Sequence, residues 1–456
     1  MGENAKANVL VFSFPIQGHI NPLLQFSKRL ISINVTVTFL TTSSTHNSIL
    51  RRAIAGGATA LPLSFVPIDD GFEEGHPSTD TSPDYFSKFQ ENVSRSLSEL
   101  ISSMDPKPNA VVYDSCLPYV LDVCRKHPGV AAASFFTQSS TVNAIYVHFL
   151  RGEFKEFQND VVLPAMPPLK GNDLPVFLYD NNICRPLFEL ISSQFINVDD
   201  IDFFLVNSFD ELEVEVLQWM TNQWPVKNIG PMIPSMYLDK RLAGDKDYGI
   251  NLFNAQVNEC LDWLDSKQPS SVIYVSFGSL AVLKDDQMIE VAAGLKQTGR
   301  NFLWVVRETE KNKLPSNYVE EIGEKGLIVN WSPQLQVLAH KSIGCFMTHC
   351  GWNSTLEALS LGVALIGMPA YSDQPTNAKF IEDVWKVGVR VKTDKNGFVT
   401  KEEIVRCVGE VMEEMSEKGK EVRKNARKLM EFAREALSEG GNSDKNIDEF
   451  IAKILR

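Results

Sequence analysis

Short, largely apolar runs recur along this chain, each followed by residues with helical spacing. Val9 to Phe14, Val35 to Leu40, Ala110 to Tyr113, Val130 to Phe135 and Phe203 to Val206 form one series. Val272 to Phe277, Phe302 to Val306, Leu327 to Val329, Gly344 to Met347 and Ala364 to Met368 form a second. Apolar runs of this kind are buried on both sides, the condition of a parallel sheet with helices on each face. Ile20 to Leu30 and Asp285 to Gln297 have the spacing of such helices. Between the series, after Gly230 and Pro231, the pattern weakens, and residues 235–254 are charged with no clear period. The expected fold is α/β, with two doubly wound domains facing across a cleft. Their expected limits are 1–234 and 255–436, with an interdomain linker at 235–254. Helical stretches near 401–413, 417–438 and 443–455 finish the chain.

Composition narrows the function. The chain has 456 residues, of which 44% are apolar, enough for two or three cores. A net charge of −13 argues against nucleic acid or an anionic membrane as partner. The opening MGENAKANVLVFSFP has too short an apolar run for a secretory signal, and position 6 lacks the Ser or Thr of a myristoylation site. No run approaches the roughly 18 apolar residues of a spanning helix. The seven cysteines are odd in number and lack a C-x-x-C pair, so neither a disulfide framework nor a zinc site is indicated. A cytoplasmic monomer with reduced thiols is expected. The sequons at Asn34, Asn92 and Asn353 are then expected to stay unmodified.

The segment from Trp331 to Gln374 carries the most chemistry. Trp331 follows an apolar run, where an indole can stack on a planar base. Thr348 to Trp352 follow the next strand and lead into a helix. Ser354 and Glu357 fit a capping box at its start. A helix N-terminus attracts phosphate, and His349 and Asn353 can donate to the same group. Asp373 and Gln374 follow a further strand, and a carboxylate beside an amide suits sugar hydroxyls. Each residue alone has an ordinary structural reading; the conjunction describes a sugar nucleotide.

Open parallel sheets bind ligands beyond the carboxyl ends of their strands. His19 follows the first strand and Asp114 directly follows Ala110 to Tyr113. They form a candidate dyad: a neutral imidazole takes a proton from an acceptor, and the carboxylate fixes its tautomer. Ser279 follows a second-series strand and can donate to a phosphate. There is no G-x-G-x-x-G, which disfavours a dinucleotide oxidoreductase, and no G-x-S-x-G elbow. A metal-dependent transferase would hold Mg²⁺ or Mn²⁺ on a D-x-D pair; the donor segment has none, and no metal is expected.

Trp331 to Gln374 resembles the signature box of plant small-molecule UDP-glycosyltransferases. FPIQGHINP around His19, VYDSC at 112–116 and SFGS at 276–279 extend the likeness over essentially the whole chain. The resemblance implies a GT-B arrangement of two Rossmann-like domains, with the last helix, 437–456, returning to the first. It implies His19 and Asp114 as the catalytic pair. Donor contacts would come from Ser279, Trp331, Gln334, His349, Trp352, Asn353, Ser354, Glu357, Asp373 and Gln374, with Thr137 near the sugar's 6-hydroxyl. Trp331 would meet uracil, Glu357 ribose, and Trp352 with Gln374 glucose. Acceptor contacts would come from Ile16, Phe136, Tyr371 and the loop 174–190. The likeness is greatest to members that glucosylate acids such as auxin, jasmonate and salicylate. UDP-glucose is then a co-substrate, no cofactor is needed, and the acceptor is a small hydrophobic acid or phenol. A UDP-sugar epimerase or a non-catalytic UDP-sugar sensor are the competing readings.

Overall fold

A computed structural model describes residues 7–47, 63–72, 83–155, 160–179, 185–249, 257–279, 281–413 and 416–456. Cys184, part of the loop 174–190, and the end of the expected linker lie outside the described residues. The chain divides into two compact units. One comprises Met1–Pro168, Phe177–Leu252 and Arg434–Arg456; the other comprises Leu169–Val176 and Phe253–Ala433. Each is a Rossmann-like domain on a parallel sheet.

The first sheet has strands β1 Asn8–Phe12, β2 Thr36–Thr42, β3 Ser64–Ile68, β4 Ala110–Asp114, β5 Ala131–Phe136, β6 Phe203–Val206 and β7 Val226–Asn228. Their spatial order is β3-β2-β1-β4-β5-β6-β7, and all pairs are parallel. The second has β8 Val272–Ser276, β9 Asn301–Val305, β10 Gly326–Val329, β11 Ile343–Thr348, β12 Ala364–Gly367 and β13 Gly388–Arg390. Its order is β10-β9-β8-β11-β12-β13, again all parallel. The order reverses between β1 and β4 in one sheet and between β8 and β11 in the other. Crossover helices leave to opposite faces at such a switch point and open a crevice beyond the strand ends.

Packing follows from the apolar runs. β4 is buried along its whole length, as is β8. In the first unit the final helix, Asn442–Ile454, lays Phe450 against Phe203 at 4.9 Å and Phe26 at 6.2 Å. In the second, Ile273, Val275, Trp304, Met347 and Ile366 belong to one core. Among the described residues no helix is long and apolar enough to cross a membrane.

Two expected boundaries are corrected. The described part of 235–254 is not a linker. Asp239 binds Arg29 at 2.8 Å, and Asp245 binds Lys28 at 2.8 Å and the Ser235 N–H at 2.7 Å. Charges in this stretch are partners of the first helix, Gln17–Ser32. Residues 169–176, assigned to the first domain by position, fold with the second. There the fully buried Asp173 meets Arg390 at 2.6 Å, and its carbonyl accepts the Thr376 hydroxyl at 2.7 Å.

Candidate active site

The first unit places its chemistry at the β1/β4 switch point. Ile16 is extended, and its carbonyl accepts the N–H groups of His19 and Ile20, both at 2.9 Å. That starts the helix Gln17–Ser32 and sets His19 in its first turn. Asp114 is the last residue of β4 and fully buried. Its Oδ2 lies 2.7 Å from His19 Nδ1, while its Oδ1 accepts the Cys116 N–H at 3.0 Å. Thr137 Oγ1 is 3.3 Å from the same Nδ1. The sequence pair is therefore a real contact between groups 95 residues apart. With Nδ1 turned to the carboxylate, Nε2 is the nitrogen on the opposite side of the ring. Burial, and then the Asp114 charge, push the Cys116 thiol well up, so it is protonated.

The second unit builds its site at the β8/β11 switch point. His349 follows β11, Cys350 has φ 66°, and Gly351 is extended before the helix Trp352–Ser360. The imidazole is wedged between two glycines. A Cβ on Gly351 would lie 2.5 Å from Nε2, and one on Gly278 would lie 2.7 Å from Nε2 and Cε1. Gly278 also has φ +76°, so it is glycine for two reasons. Burial lowers the His349 pKa to about 4, against a smaller opposing hydrogen bond to the Ser276 backbone, so the ring is neutral at pH 7. Trp352, Asn353 and Ser354 are the first three helical residues, whose N–H groups have no intrahelical acceptor.

That start corrects the expected capping box. Ser354 is the third residue of the helix, not its cap, because the turn at Cys350 and Gly351 has already bent the chain. Gln334 Nε2 donates to Ser354 Oγ at 2.9 Å and to Glu357 Oε2 at 2.7 Å, while its Oε1 accepts the Tyr274 hydroxyl at 3.1 Å. Gln334 thus supports the two residues rather than standing apart as a contact. Trp331 is half-buried just past β10. Trp352 is buried with its ring 6.2 Å from that of Trp385. Gln374 Oε1 accepts the N–H groups of Ala370 and Tyr371 at 2.9 and 3.0 Å, so its remaining capacity is as a donor.

A family model described as UDP-glucoronosyl and UDP-glucosyl transferase matches residues 178–430. UDP-glycosyltransferase 74D1 of Arabidopsis thaliana is 93% identical over 456 residues, covering all of both chains. The chain belongs to the UDP-glycosyltransferase family. Mogroside I-E synthase of Siraitia grosvenorii is 46% identical across 99% of each chain. Os79 from O. sativa, solved in complex with UDP, is 38% identical with a TM-score of 0.87, covering 98% of this chain and 100% of that one. Phytolacca americana UGT2, complexed with UDP-2fluoro-glucose and pterostilbene, is 28% identical with a TM-score of 0.82, covering 99% of this chain and 100% of that one. As a UDP-glycosyltransferase of the GT-B fold, the protein takes a UDP-sugar and a small-molecule acceptor.

Some expected members of this UDP-glycosyltransferase site are placed differently. Phe136 is fully buried, stacked 4.0 Å from Phe204 and 5.7 Å from Phe195, which removes its ring from the groups offered to an acceptor. Tyr371, grouped with the acceptor contacts, sits beside Asp373 in the second unit; burial and that carboxylate push its hydroxyl to about 12. Thr137 bonds the His19 imidazole. Two D-x-D triplets occur outside the donor segment, at 200–202 and 245–247. Asp202 is committed to Arg125 and the Ala132 N–H, and Asp245 to Lys28 and Gln25.

Three residues were missed. The Arg307 guanidinium holds the carbonyls of Ser279 and Ala281 and so shapes the turn after β8. Asn377 Nδ2 donates to the Cys350 carbonyl at 2.9 Å and to Asp373 Oδ2 at 2.7 Å, tying the His349 turn to the Asp373–Gln374 loop. Asp173 backs that loop with Arg390, and the Val176 N–H reaches the Ser372 carbonyl at 2.8 Å. An arginine at a strand end was a local signal; Asn377 with Cys350 and Asp173 with Arg390 meet across 27 and 217 residues.

Proposed function

We propose that the protein moves glucose from UDP-glucose to a small hydrophobic carboxylic acid, with inversion, giving a β-glucose ester. The observation that carries the transfer is the 2.7 Å contact between His19 and the buried Asp114 at a switch point. Asp114 holds the Nδ1–H tautomer and leaves Nε2 to accept a proton. Attack from the face opposite the leaving UDP inverts the sugar. His349, Asn353, Ser354, Ser279 and the helix start at Trp352 stabilise the charge that develops on UDP, as preorganised donors do. Trp331 stacks on uracil, Glu357 takes ribose, and Asp373 with the Gln374 amide takes the sugar hydroxyls.

Resemblance to auxin-, jasmonate- and salicylate-type members favours an acid. A hydroxyl acceptor is the second reading, supported by relatives solved with a trichothecene and with pterostilbene. A carboxylic acid with a pKa of about 4 is already ionised at pH 7, whereas a phenol or alcohol must lose its proton. The test incubates purified protein with UDP-glucose and a panel of acids and phenols, then treats products with mild base. Base-labile products are expected; stable glucosides alone would overturn the ester reading. His19→Ala is expected to lower kcat/KM for hydroxyl acceptors at least ~100-fold, and for acids much less. Equal loss for both would leave His19 a positioning group.

A further inference from the structure

Asp114 faces more than the imidazole. Cys116 lies two residues past the end of β4, and one ligand-capable atom each from His19, Asp114 and Cys116 fall within 4.8 Å of one another. The carboxylate is fully buried and Cys116 is 6% exposed, while the imidazole is 24% exposed. A nitrogen, an oxygen and a sulfur therefore converge, and the imidazole is the most exposed of the three groups. Spacing rules that look for C-x-x-C pass over this set, because it holds one cysteine and its histidine lies 95 residues from Asp114.

We propose that His19, Asp114 and Cys116 form a binding site for one thiophilic divalent cation of the zinc class, and that its occupancy stops transfer to hydroxyl acceptors, which need a base. The consequence for transfer rests on the reading of His19 as the base; the site itself does not. Zinc takes three protein ligands with a fourth position left open, at about 2.3 Å to sulfur and ~2.0–2.1 Å to nitrogen and oxygen. Those lengths place neighbouring ligand atoms roughly 3.3–3.8 Å apart. The contact between His19 and Asp114 opens by about half an ångström, and the thiol swings inward. Two anionic ligands cancel the charge of the ion, so the filled site is neutral and tolerates burial.

The bonds balance without a redox step. Cys116 Sγ–H releases its proton to solvent as the sulfur–metal bond forms. The hydrogen bond between Nδ1 and Asp114 is replaced by one metal bond to each. The single proton of the neutral imidazole then resides on Nε2. That is the nitrogen from which base action requires a lone pair, so the ion inverts the tautomer that Asp114 otherwise maintains. Oxygen-seeking cations such as Mg²⁺ gain nothing from the thiol and have no preference for this set.

The test titrates the chelator-treated full chain with Zn²⁺ and, separately, with Co²⁺, beside Cys116→Ser and Cys116→Ala. The expected result is one metal ion dependent on Cys116, a thiolate-to-cobalt charge-transfer band absent from both variants, and loss of transfer to a phenol acceptor in step with occupancy. Chelation restores the rate. Each variant, compared with its own metal-free rate, should need at least ~10-fold more Zn²⁺ for half-inhibition. Equal Zn²⁺ sensitivity in wild type and both variants, or no thiolate band, would overturn the site. Cys116-dependent binding with transfer to the phenol unimpaired would uphold the site and overturn His19 as the base.

Discussion

At His349 the packing leaves no room for a methyl group. Gly351→Ala puts a Cβ into the imidazole and displaces the ring, the helix start, or both. The expected outcome is a rise in KM for UDP-sugar of about tenfold or more, some 1.4 kcal/mol, with an unchanged circular dichroism spectrum. Gly278→Ala should cost more, since its backbone conformation also disfavours a side chain. The same ring makes stability depend on pH. Its folded pKa, near 4, is below the ordinary 6.5, so the unfolded chain takes up a proton that the folded chain refuses. Stability from this group is complete above about 6.5 and is lost as pH falls toward 4. Urea midpoints between those values should fall with acidification in the wild type and fall less in His349→Gln. Asn377→Ala, which unties Cys350 from Asp373, should raise the KM for UDP-sugar while sparing the affinity for acceptor.

At the scale of elements, the turns around His349 and Asp373 are held by neighbours that sequence order hides. Residues 169–176 are the clearest case. Asp173→Asn keeps the shape but removes the charge facing Arg390 and Lys379, which lie at 2.6 and 3.7 Å. Breaking a buried pair of this kind costs about 3 kcal/mol. The expected outcome is a lower melting temperature together with weaker UDP-sugar binding by calorimetry, because the Ser372–Gln374 loop loses its backing. Central strands were legible: Phe203–Val206 matches its expected span, and the helix Asp285–Gln297 does too. Of the edge strands, only β10 was, as Leu327 to Val329. β3 carries Pro67 and exposed positions, while β7 and β13 have three residues each, too few for a period. An edge strand is covered on fewer sides, so its sequence need not be uniformly apolar. In the site, residues adjacent in sequence were readable as a group. Gln334 with Glu357 and Asp173 with Arg390 meet only after folding, and no local pattern announces either.

For the molecule as a whole, the final helix is part of the first unit's core despite its position in the chain. Phe450→Ala removes a ring that packs on Phe203 and Phe26, and large-to-small changes of this kind cost roughly 3–5 kcal/mol. Hydrogen exchange should show the loss in β1, β5 and β6, with the strands of the second sheet less affected. Uniform loss across both sheets would contradict that assignment. The charge distribution is also a property of this scale: a net −13 chain must recruit anionic UDP through local dipoles and a neutral imidazole, so binding should vary less with ionic strength than at a site lined by lysines.

The division of the chain has a practical meaning for recombining family members. The two units exchange the chain at 168/169, 176/177, 252/253 and 433/434. A hybrid spliced once near the middle therefore inherits an eight-residue insert from one parent against the 372–374 loop of the other. Its C-terminal helix comes from the second parent and must fit the first parent's sheet. A graft that also carries residues 169–176 with the second unit, and 434–456 with the first, keeps each folding unit under one ancestry.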